Sequence, residues 1–437
     1  MVAPLKLGLA GLGTVGASVV RLIDSQRSLL QARCGRPIEV VAVTARSKGK
    51  KRDADLGRLR WVRDPFELAV DPEIDVFVEL MGGDGDPANG AITAALAAGK
   101  SVVTANKALI AKHGVRLAAL AEKQRVSLNF EAAVAGAIPV IKTLREGFAG
   151  NSIARVYGIL NGTCNYILTR MEQEGLSFAD CLADAQRLGY AEADPTFDVE
   201  GYDTAQKLAI LASLTFGTKV DFNAVYVEGI SSISPADLRS ADELGYRVKL
   251  LGVALKTGKG IEQRVHPTMV RKDSAIAQVM GVTNAVTLDV EGVPPVTLVG
   301  PGAGGMATAS SVVSDIADIA RGIRVPPFGR PTAQLTASQK APMQRHEGGY
   351  YIRFDARDRP GTAATIAKRL AQQGISLESI VQRHGDEASR SGVAKGSVPV
   401  ILITYATSED AVRRALAAIR KDRVISGKPQ VLRIEKN

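Results

Sequence analysis

The stretch Met1–Gly16, MVAPLKLGLAGLGTVG, decides the fold of the first part of the chain. A short apolar run, Leu5–Ala10, feeds directly into Gly11-Leu12-Gly13-Thr14-Val15-Gly16, and an apolar pattern of helical spacing, Ala17–Ile23, follows. Strand, glycine turn and helix in that order form the context that a dinucleotide-binding fingerprint needs. In such a turn Gly11 permits the tight bend, Gly13 lets backbone N–H groups approach a pyrophosphate, and Gly16 lets the helix pack closely on the strand. The helix start turns its positive end toward the phosphates. An ordinary tight turn between strand and helix is the alternative that the spacing by itself leaves open.

Apolar runs at Glu39–Thr44, Val76–Leu80, Ser101–Thr104 and Val126–Phe130 continue the pattern, separated by helical stretches such as Gly90–Ala98 and Lys112–Lys123. This alternation predicts a doubly wound parallel sheet, an α/β unit. From Gly150 to about Gly300 the rhythm changes. Strand-like runs at Ile153–Leu160, Ala224–Ile230, Lys249–Leu255 and Ala285–Leu288, with a helix from Gly201 to Phe216, predict a mixed sheet in a second domain. A second glycine turn, Gly300-Pro301-Gly302-Ala303-Gly304-Gly305, opens a helix over Thr308–Arg321, and the proline-rich Val325–Pro331 marks a boundary. The remainder predicts a βαββαβ unit: strand Tyr350–Asp355, helix Gly361–Gln373, strands Leu377–Gln382 and Val400–Thr404, helix Glu409–Lys421, strand Val431–Ile434. Between the central strands, the polar, glycine-bearing segment Arg383–Ser397 reads as a mobile loop.

With 437 residues the chain is long enough for about three domains. Hydrophobic residues at 46% and charged residues at 23% match an ordinary globular protein, and no apolar run is long enough to span a membrane. The chain enters a strand almost at once, which leaves no room for a signal peptide. Cys34, Cys164 and Cys181 sit in unrelated settings without a CxxC pair, as expected of reduced thiols in a cytoplasmic protein. The net charge of +10 is dispersed apart from Arg46, Lys48, Lys50, Lys51 and Arg52, and no aromatic residues interleave with that run. A nucleic-acid partner is therefore not expected, and a phosphorylated small molecule is. His113, His266, His346 and His384 are scattered and form no metal-ligand spacing.

The end of the second strand chooses the dinucleotide. An acid there suits the ribose hydroxyl of NAD, and a basic residue suits the 2′-phosphate of NADP. The run ends Thr44-Ala45-Arg46-Ser47-Lys48, with no acid before Asp53, so Arg46 favours NADP. A solvated basic loop compatible with both cofactors is the alternative. The chemistry-bearing stretch is Gly189–Lys207, GYAEADPTFDVEGYDTAQK, dense in carboxylates and running into an apolar helix. Asp203 and Lys207 share one helix face, which by spacing alone is compatible with an exposed ion pair.

The chain resembles homoserine dehydrogenase from its first strand to about Arg321. The motifs that carry the resemblance are GLGTVG at 11–16, VELMGG at 78–83, TANKAL at 104–109, EAAVAGAIPVI at 131–141, GILNGTCNYIL at 158–168, GYAEADPTFDVEGYDTAQKLAI at 189–210 and GPGAGG at 300–305. Two departures stand out: Met306-Ala307-Thr308 where the family usually has a proline, and Arg46 after the second strand. The resemblance implies an oligomeric, NAD(P)-dependent enzyme interconverting L-aspartate 4-semialdehyde and L-homoserine, in the form without a fused kinase. It implies Lys207 as acid/base residue, Lys107 beside the nicotinamide, and Glu192, Asp198 and Asp203 toward the substrate. Gly11 to Gly16 (with Leu12, Thr14 and Val15), Gly83, Gly189 and Gly304 fall on cofactor-contact positions. The main-chain carbonyls of Glu131, Val134, Gly136 and Ile138 fall on positions that hold a monovalent cation, usually sodium; without the family, a packed turn of small residues is the plainer reading. Asn161 and Thr163 open a helix and suit capping and anion binding near the substrate carboxylate. A lysine suits proton transfer if burial or neighbouring cations bring its pKa toward the working pH.

Two rivals are weaker. Aspartate semialdehyde dehydrogenase needs a catalytic thiolate with a histidine, a setting that neither Cys34 nor Cys164 has. A catalytically dead sensor sits poorly with Lys107, Glu192, Asp203 and Lys207 all present. Residues 349–437 resemble an ACT domain, a ferredoxin-like regulatory module, through Tyr351-Ile352-Arg353-Phe354-Asp355 and Asp358-Arg359-Pro360-Gly361-Thr362. That resemblance implies a homodimer or homotetramer with an amino-acid effector, L-threonine being the natural candidate; a purely structural dimerisation module is the alternative. The expected division is a Rossmann-type domain over 1–135, completed by about 300–340, an α+β catalytic and dimerisation domain over 136–300, and the ACT domain over 349–437.

Overall fold

A computed structural model describes residues 2–341, 346–382 and 397–435. The expected mobile loop, and with it His384, lies outside the described residues except for Ser397.

Strands β1 (Leu5–Ala10), β2 (Ile38–Thr44), β3 (Arg60–Trp61), β4 (Val76–Glu79), β5 (Ser101–Thr104) and β6 (Leu128–Asn129) form a sheet in the order β3-β2-β1-β4-β5-β6. Every pairing in it is parallel. This is the doubly wound order, whose direction of winding reverses between β1 and β4 and leaves a crevice at their carboxyl ends. The period-two side-chain pattern explains the two faces. Leu5, Leu7 and Leu9 share one core with Val19, Val20 and Ile23 of the first helix, Thr14–Ser25, and with Ala309, Val312, Val313 and Ile316 of the distant helix Gly305–Ala320. The opposite face is covered by helices Ala88–Ala97 and Lys107–Gln124 through Ala91, Ile92, Ala95, Leu109, Ile110 and Leu117.

The second sheet contains β7 (Ile153–Ile159), β8 (Tyr226–Val227), β9 (Tyr246–Thr257), β10 (Gly260–Arg271), β11 (Thr283–Val290) and β12 (Val296–Pro301). It continues without a break into the C-terminal module, β13 (Glu347–Arg357), β14 (Leu377–Gln382), β15 (Ser397–Thr404), β16 (Thr407–Ser408) and β17 (Ile425–Ile434). The path runs β12-β11-β7-β9-β10-β17-β13-β15-β14, and β10 meets β17 through a parallel pairing of only two positions, Thr268 with Arg433 and Met269 with Ile434. In the module, helices Thr362–Ala371 and Glu409–Lys421 close a separate core over Tyr350, Ile352, Phe354, Leu402 and Ile419.

Two expectations need correction. The predicted strand Ala224–Ile230 shrinks to β8, preceded by a 3-10 turn over Phe222–Ala224. Beyond Val227 the amide of Ile230 donates to the Val199 carbonyl (2.8 Å), so the chain turns to follow the carboxylate-rich segment instead of extending a ladder. Strand β10 was not anticipated, because Glu262, Gln263, Arg264 and His266 are all buried there, with Arg264 paired to Glu262 and His266 of the same strand and to Glu435, and break any apolar alternation. Among the described residues no helix is long and apolar enough to cross a membrane.

Candidate active site

The crevice between β1 and β4 is shaped by glycines whose roles differ. Gly11 has φ +107°, and a Cβ there would lie 2.4 Å from the Leu80 carbonyl oxygen. A Cβ on Gly16 would lie 2.1 Å from the Gly11 oxygen, so the turn and the first helical turn touch backbone to backbone. Gly13 is different: nothing lies within 4 Å of its Cβ position. It precedes a helix start with no side-chain cap hydrogen bond, leaving first-turn N–H groups unmatched by a capping side chain. Open space at that one glycine, beside free amides, fits a pyrophosphate. The second glycine turn docks on the first, since a Cβ on Gly305 would meet Ser18 Oγ at 2.7 Å and Thr14 Cγ2 at 2.8 Å. Gly304 (φ +117°) precedes that helix, which starts without the family's proline.

A cavity of about 300 Å³ opens beside this crevice, with Val15, Met81, Gly82, Lys107, Lys207 and Gly302 in its walls. Asp203 lies beneath it, only 4% exposed, on the first turn of helix Tyr202–Phe216. Lys207 Nζ donates to Asp203 Oδ2 (2.8 Å) and to the Leu160 carbonyl (2.7 Å). With two of its three N–H bonds so used, the ammonium keeps one for the cavity that it lines. Lys107 Nζ pairs with Asp203 Oδ1 at 3.2 Å. Asn161 Nδ2 bridges Asp203 Oδ2 (2.9 Å) and Asp198 Oδ1 (2.8 Å). Burial pushes the Asp203 carboxyl up, but Lys207, then Lys107, then the hydrogen bonds from Lys207 and Asn161 overcome it and hold the group at about 2. Among the described residues no cation contacts Asp198, and burial followed by the Asp203 charge raises its pKa.

The structure therefore joins Lys107, Asp198, Asp203 and Lys207. It does not join Glu192, which is exposed and, among the described residues, makes no hydrogen bond to that group; its carbonyl and that of Ala193 accept from Gln186 Nε2. Gly189, exposed at φ +77°, lies on the same outer loop. Asn161 caps the helix start as expected, and the side chains of both Asn161 and Thr163 are engaged within the protein. Asn161 Oδ1 caps Cys164 N (2.8 Å), its amide nitrogen is taken by the two aspartates, and Thr163 Oγ1 donates to the Tyr190 carbonyl (2.6 Å). Cys164 is fully buried, its thiol pushed well up by burial, with Sγ on the Asp198 carbonyl, a setting that does not suit a nucleophile.

Arg46 is exposed at the end of β2. The basic run beyond it is an ordered loop, because Arg52 donates to the carbonyls of Leu12 (2.8 Å), Lys50 (2.7 Å) and Ser47 (2.5 Å). Lys48 and Arg52 also stack over Trp61 at 5.7 and 5.5 Å. Sequence reasoning missed Arg52 as the residue pinning this loop to the glycine turn; the chain's single tryptophan was the available signal.

In the segment Glu131–Ile138, a Cβ on Gly136 (φ +55°) would lie 2.5 Å from the Gly302 carbonyl carbon, so the segment packs beneath the second glycine turn. The Gly136 carbonyl accepts Ser311 Oγ (2.6 Å) and the Ile138 carbonyl accepts Val140 N (2.8 Å), each keeping a second lone pair. The Glu131 carboxylate accepts the amides of Ile141 and Lys142 (both 2.8 Å), and burial and the Asp315 charge push it up to about 7. The Gly83 carbonyl accepts from Asn106 Nδ2 (2.6 Å).

Comparison with known proteins agrees over the whole length. The family described as homoserine dehydrogenase matches residues 139–317, the homoserine dehydrogenase NAD binding domain matches 11–131, and the ACT domain matches 350–423. The chain is 45% identical over 422 residues to a homoserine dehydrogenase of Neisseria gonorrhoeae, covering 95% of each. Its fold is similar to the crystal structure of a homoserine dehydrogenase from Thiobacillus denitrificans, at a TM-score of 0.92 and 43% identity over 99% of this chain and 98% of that one. A hyperthermophilic archaeal homoserine dehydrogenase in complex with NADPH is similar over 72% of this chain and 97% of its own, with a TM-score of 0.62 and 28% identity.

Proposed function

The chain belongs to the homoserine dehydrogenase family and is an NAD(P)-dependent oxidoreductase carrying an ACT domain, and we propose that it interconverts L-aspartate 4-semialdehyde and L-homoserine, with NADP preferred over NAD. The observation that carries this reading is the convergence of Lys207 and Lys107 on one buried carboxylate, Asp203, at the wall of a cavity that also touches the glycine turn. The bound dinucleotide supplies the hydride exchanged with the substrate carbon. Lys207 is the acid/base residue: its Nζ presents a proton to the substrate oxygen in reduction and takes it back in oxidation. Asp203 holds both lysines in place, so neither needs reorganisation when charge develops on that oxygen. Lys107 lies between cavity and carboxylate and orients the reacting end. Glu192 and Asp203 are the carboxylates for the substrate's α-ammonium, and Asp198 orients the substrate or Lys207.

In this reading Gly11 to Gly16, Gly83, Gly189 and Gly304 contact the dinucleotide and Arg46 meets its 2′-phosphate. The carbonyls of Glu131, Val134, Gly136 and Ile138 hold a monovalent cation, sodium. The three units divide near residues 135, 300 and 349, with the stretch after 300 completing the first. The protein works in the cytoplasm as a homodimer or homotetramer, and L-threonine acting on the ACT domain regulates it. The experiment is spectrophotometric: purified protein and L-homoserine should reduce NADP⁺ faster than NAD⁺ at equal concentration. Millimolar L-threonine should lower the rate, and replacing sodium by tetramethylammonium at constant ionic strength should lower Tm. No homoserine-dependent reduction with either dinucleotide, from folded protein, would sink the reading.

A further inference from the structure

Strand β4 ends in an acid that the reaction scheme does not use. Glu79 is completely buried, and among the described residues it forms no ion pair. Burial raises its pKa, opposed by hydrogen bonds from Thr104, Met81, Gly82 and Asn106 rather than by any cation. A buried carboxylate without a cation disfavours folding unless its lone pairs are well matched. Here they are. Oε1 accepts the amides of Met81 (2.7 Å) and Gly82 (3.1 Å), and Oε2 accepts Thr104 Oγ1 (2.6 Å).

The bonds continue into a closed ring. Thr104 Oγ1 accepts the Asn106 amide (3.0 Å), and Asn106 Nδ2 donates to the Gly83 carbonyl (2.6 Å), next to Gly82. Asn106 Oδ1 in turn caps Leu109 N (3.1 Å) at the start of helix Lys107–Gln124. Gly82 and Gly83 are both left-handed, at φ +78° and +83°, with nothing near their Cβ positions. Packing therefore does not select the shape of this turn, whereas the carboxylate does. Leu80, Met81, Gly82, Asn106 and Lys107 all line the same cavity.

We propose that Glu79 is a positioning residue of the active site: its buried carboxylate ties the Met81–Gly83 turn to the Asn106-capped helix start, and so sets where Lys107 meets Asp203. Glu79 itself touches neither Asp203 nor the cavity lysines; it acts through Asn106 and Lys107. This rests on the reading of the cavity as the homoserine and dinucleotide site.

The test is a double-mutant cycle in the full-length protein, reading kcat/KM for homoserine, KM for NADP⁺, and Tm. Glu79→Gln keeps an acceptor for the Met81 and Gly82 amides but turns an N–H donor toward Thr104, whose hydroxyl then loses the acceptor for its own proton. It should lower kcat/KM by 10-fold to about 10²-fold, the scale of an ångström misplacement. In the Lys107→Met background Glu79→Gln should lower kcat/KM no further, because the lysine through which it acts is already gone. Thr104→Val opens the ring at one hydroxyl and carries the same cycle if Glu79→Gln does not fold. A full multiplicative loss in the double variant would reduce Glu79 to a fold staple and overturn the proposal, as would unchanged kcat/KM in both Glu79→Gln and Thr104→Val. Inactive wild-type protein would instead overturn the functional reading beneath it.

Discussion

Lys207 Nζ lies 2.8 Å from Asp203 Oδ2, while Lys107, from the end of the parallel sheet, reaches the other oxygen of the same carboxylate at 3.2 Å. One buried acid thus joins the nucleotide-binding sheet unit to the helix of the second sheet, across the cavity where the reaction is proposed. The geometry makes the two lysines separable by experiment, since among the described residues Lys207 has a backbone acceptor, Leu160, and Lys107 has none.

Lys207→Ala should leave a folded protein that still binds NADPH, with kcat for homoserine lowered by about 10²–10⁴-fold. Steady-state kinetics alongside fluorescence titration of NADPH checks both halves. Retained turnover would remove Lys207 from the mechanism.

Asp203 gives a signature in acid. Its folded pKa, about 2, lies below the unfolded value of about 3.9, so its contribution is present above the unfolded value and is lost as pH falls toward 2. The shift corresponds to about 2–3 kcal/mol. Urea unfolding of wild type and Asp203→Asn at pH 7 and pH 3 should show the gap between them narrowing at the lower pH.

The glycine turn separates packing from binding. Gly16→Ala forces its Cβ against the Gly11 oxygen and should cost about 1–3 kcal/mol of stability. Gly13→Ala, at φ −74° with free space around it, should leave Tm unchanged yet raise the Kd for NADPH at least tenfold, on the order of 1.4 kcal/mol. Equal affinity in Gly13→Ala would place the pyrophosphate elsewhere.

Arg46 and Arg52 should part company. Arg46→Ala should raise KM for NADP⁺ about tenfold and leave KM for NAD⁺ alone, as expected for the loss of one charge-assisted phosphate contact. Arg52→Ala frees the loop that it pins to Leu12 and should weaken both dinucleotides. Identical NADP⁺/NAD⁺ ratios in wild type and Arg46→Ala would remove the basis for NADP preference.

Glu131 works in the opposite sense to Asp203. Its folded pKa, about 7, lies above the usual value of 4.5, so the folded protein keeps this proton while the unfolded chain loses it. Stability from this site therefore declines as pH rises from about 4.5 to 7. Calorimetry across that window should show a shallower decline for Glu131→Gln than for wild type.

The order of the main elements was legible because it is written in local patterns. Apolar runs, glycines and capping residues mark β1, the first helix and the C-terminal βαββαβ order within a few residues of where they occur, since each depends on neighbours close in the chain. The pairing of Asp203 with Lys207 was legible too, but not its state: spacing alone fitted an exposed ion pair, and only the arrival of Lys107 and Asn161 shows a buried carboxylate clamped from two sides. Tertiary structure alone likewise decided that Asn161 bridges Asp198 and Asp203, that Glu192 stands outside the cluster, that Arg52 pins the basic loop to the glycine turn, and that β10 buries charged residues. The physical reason is common to all of these. A polar side chain's role is set by which donors and acceptors surround it after desolvation, and those partners come from distant parts of the chain, whereas periodicity and glycine geometry are properties of a segment by itself.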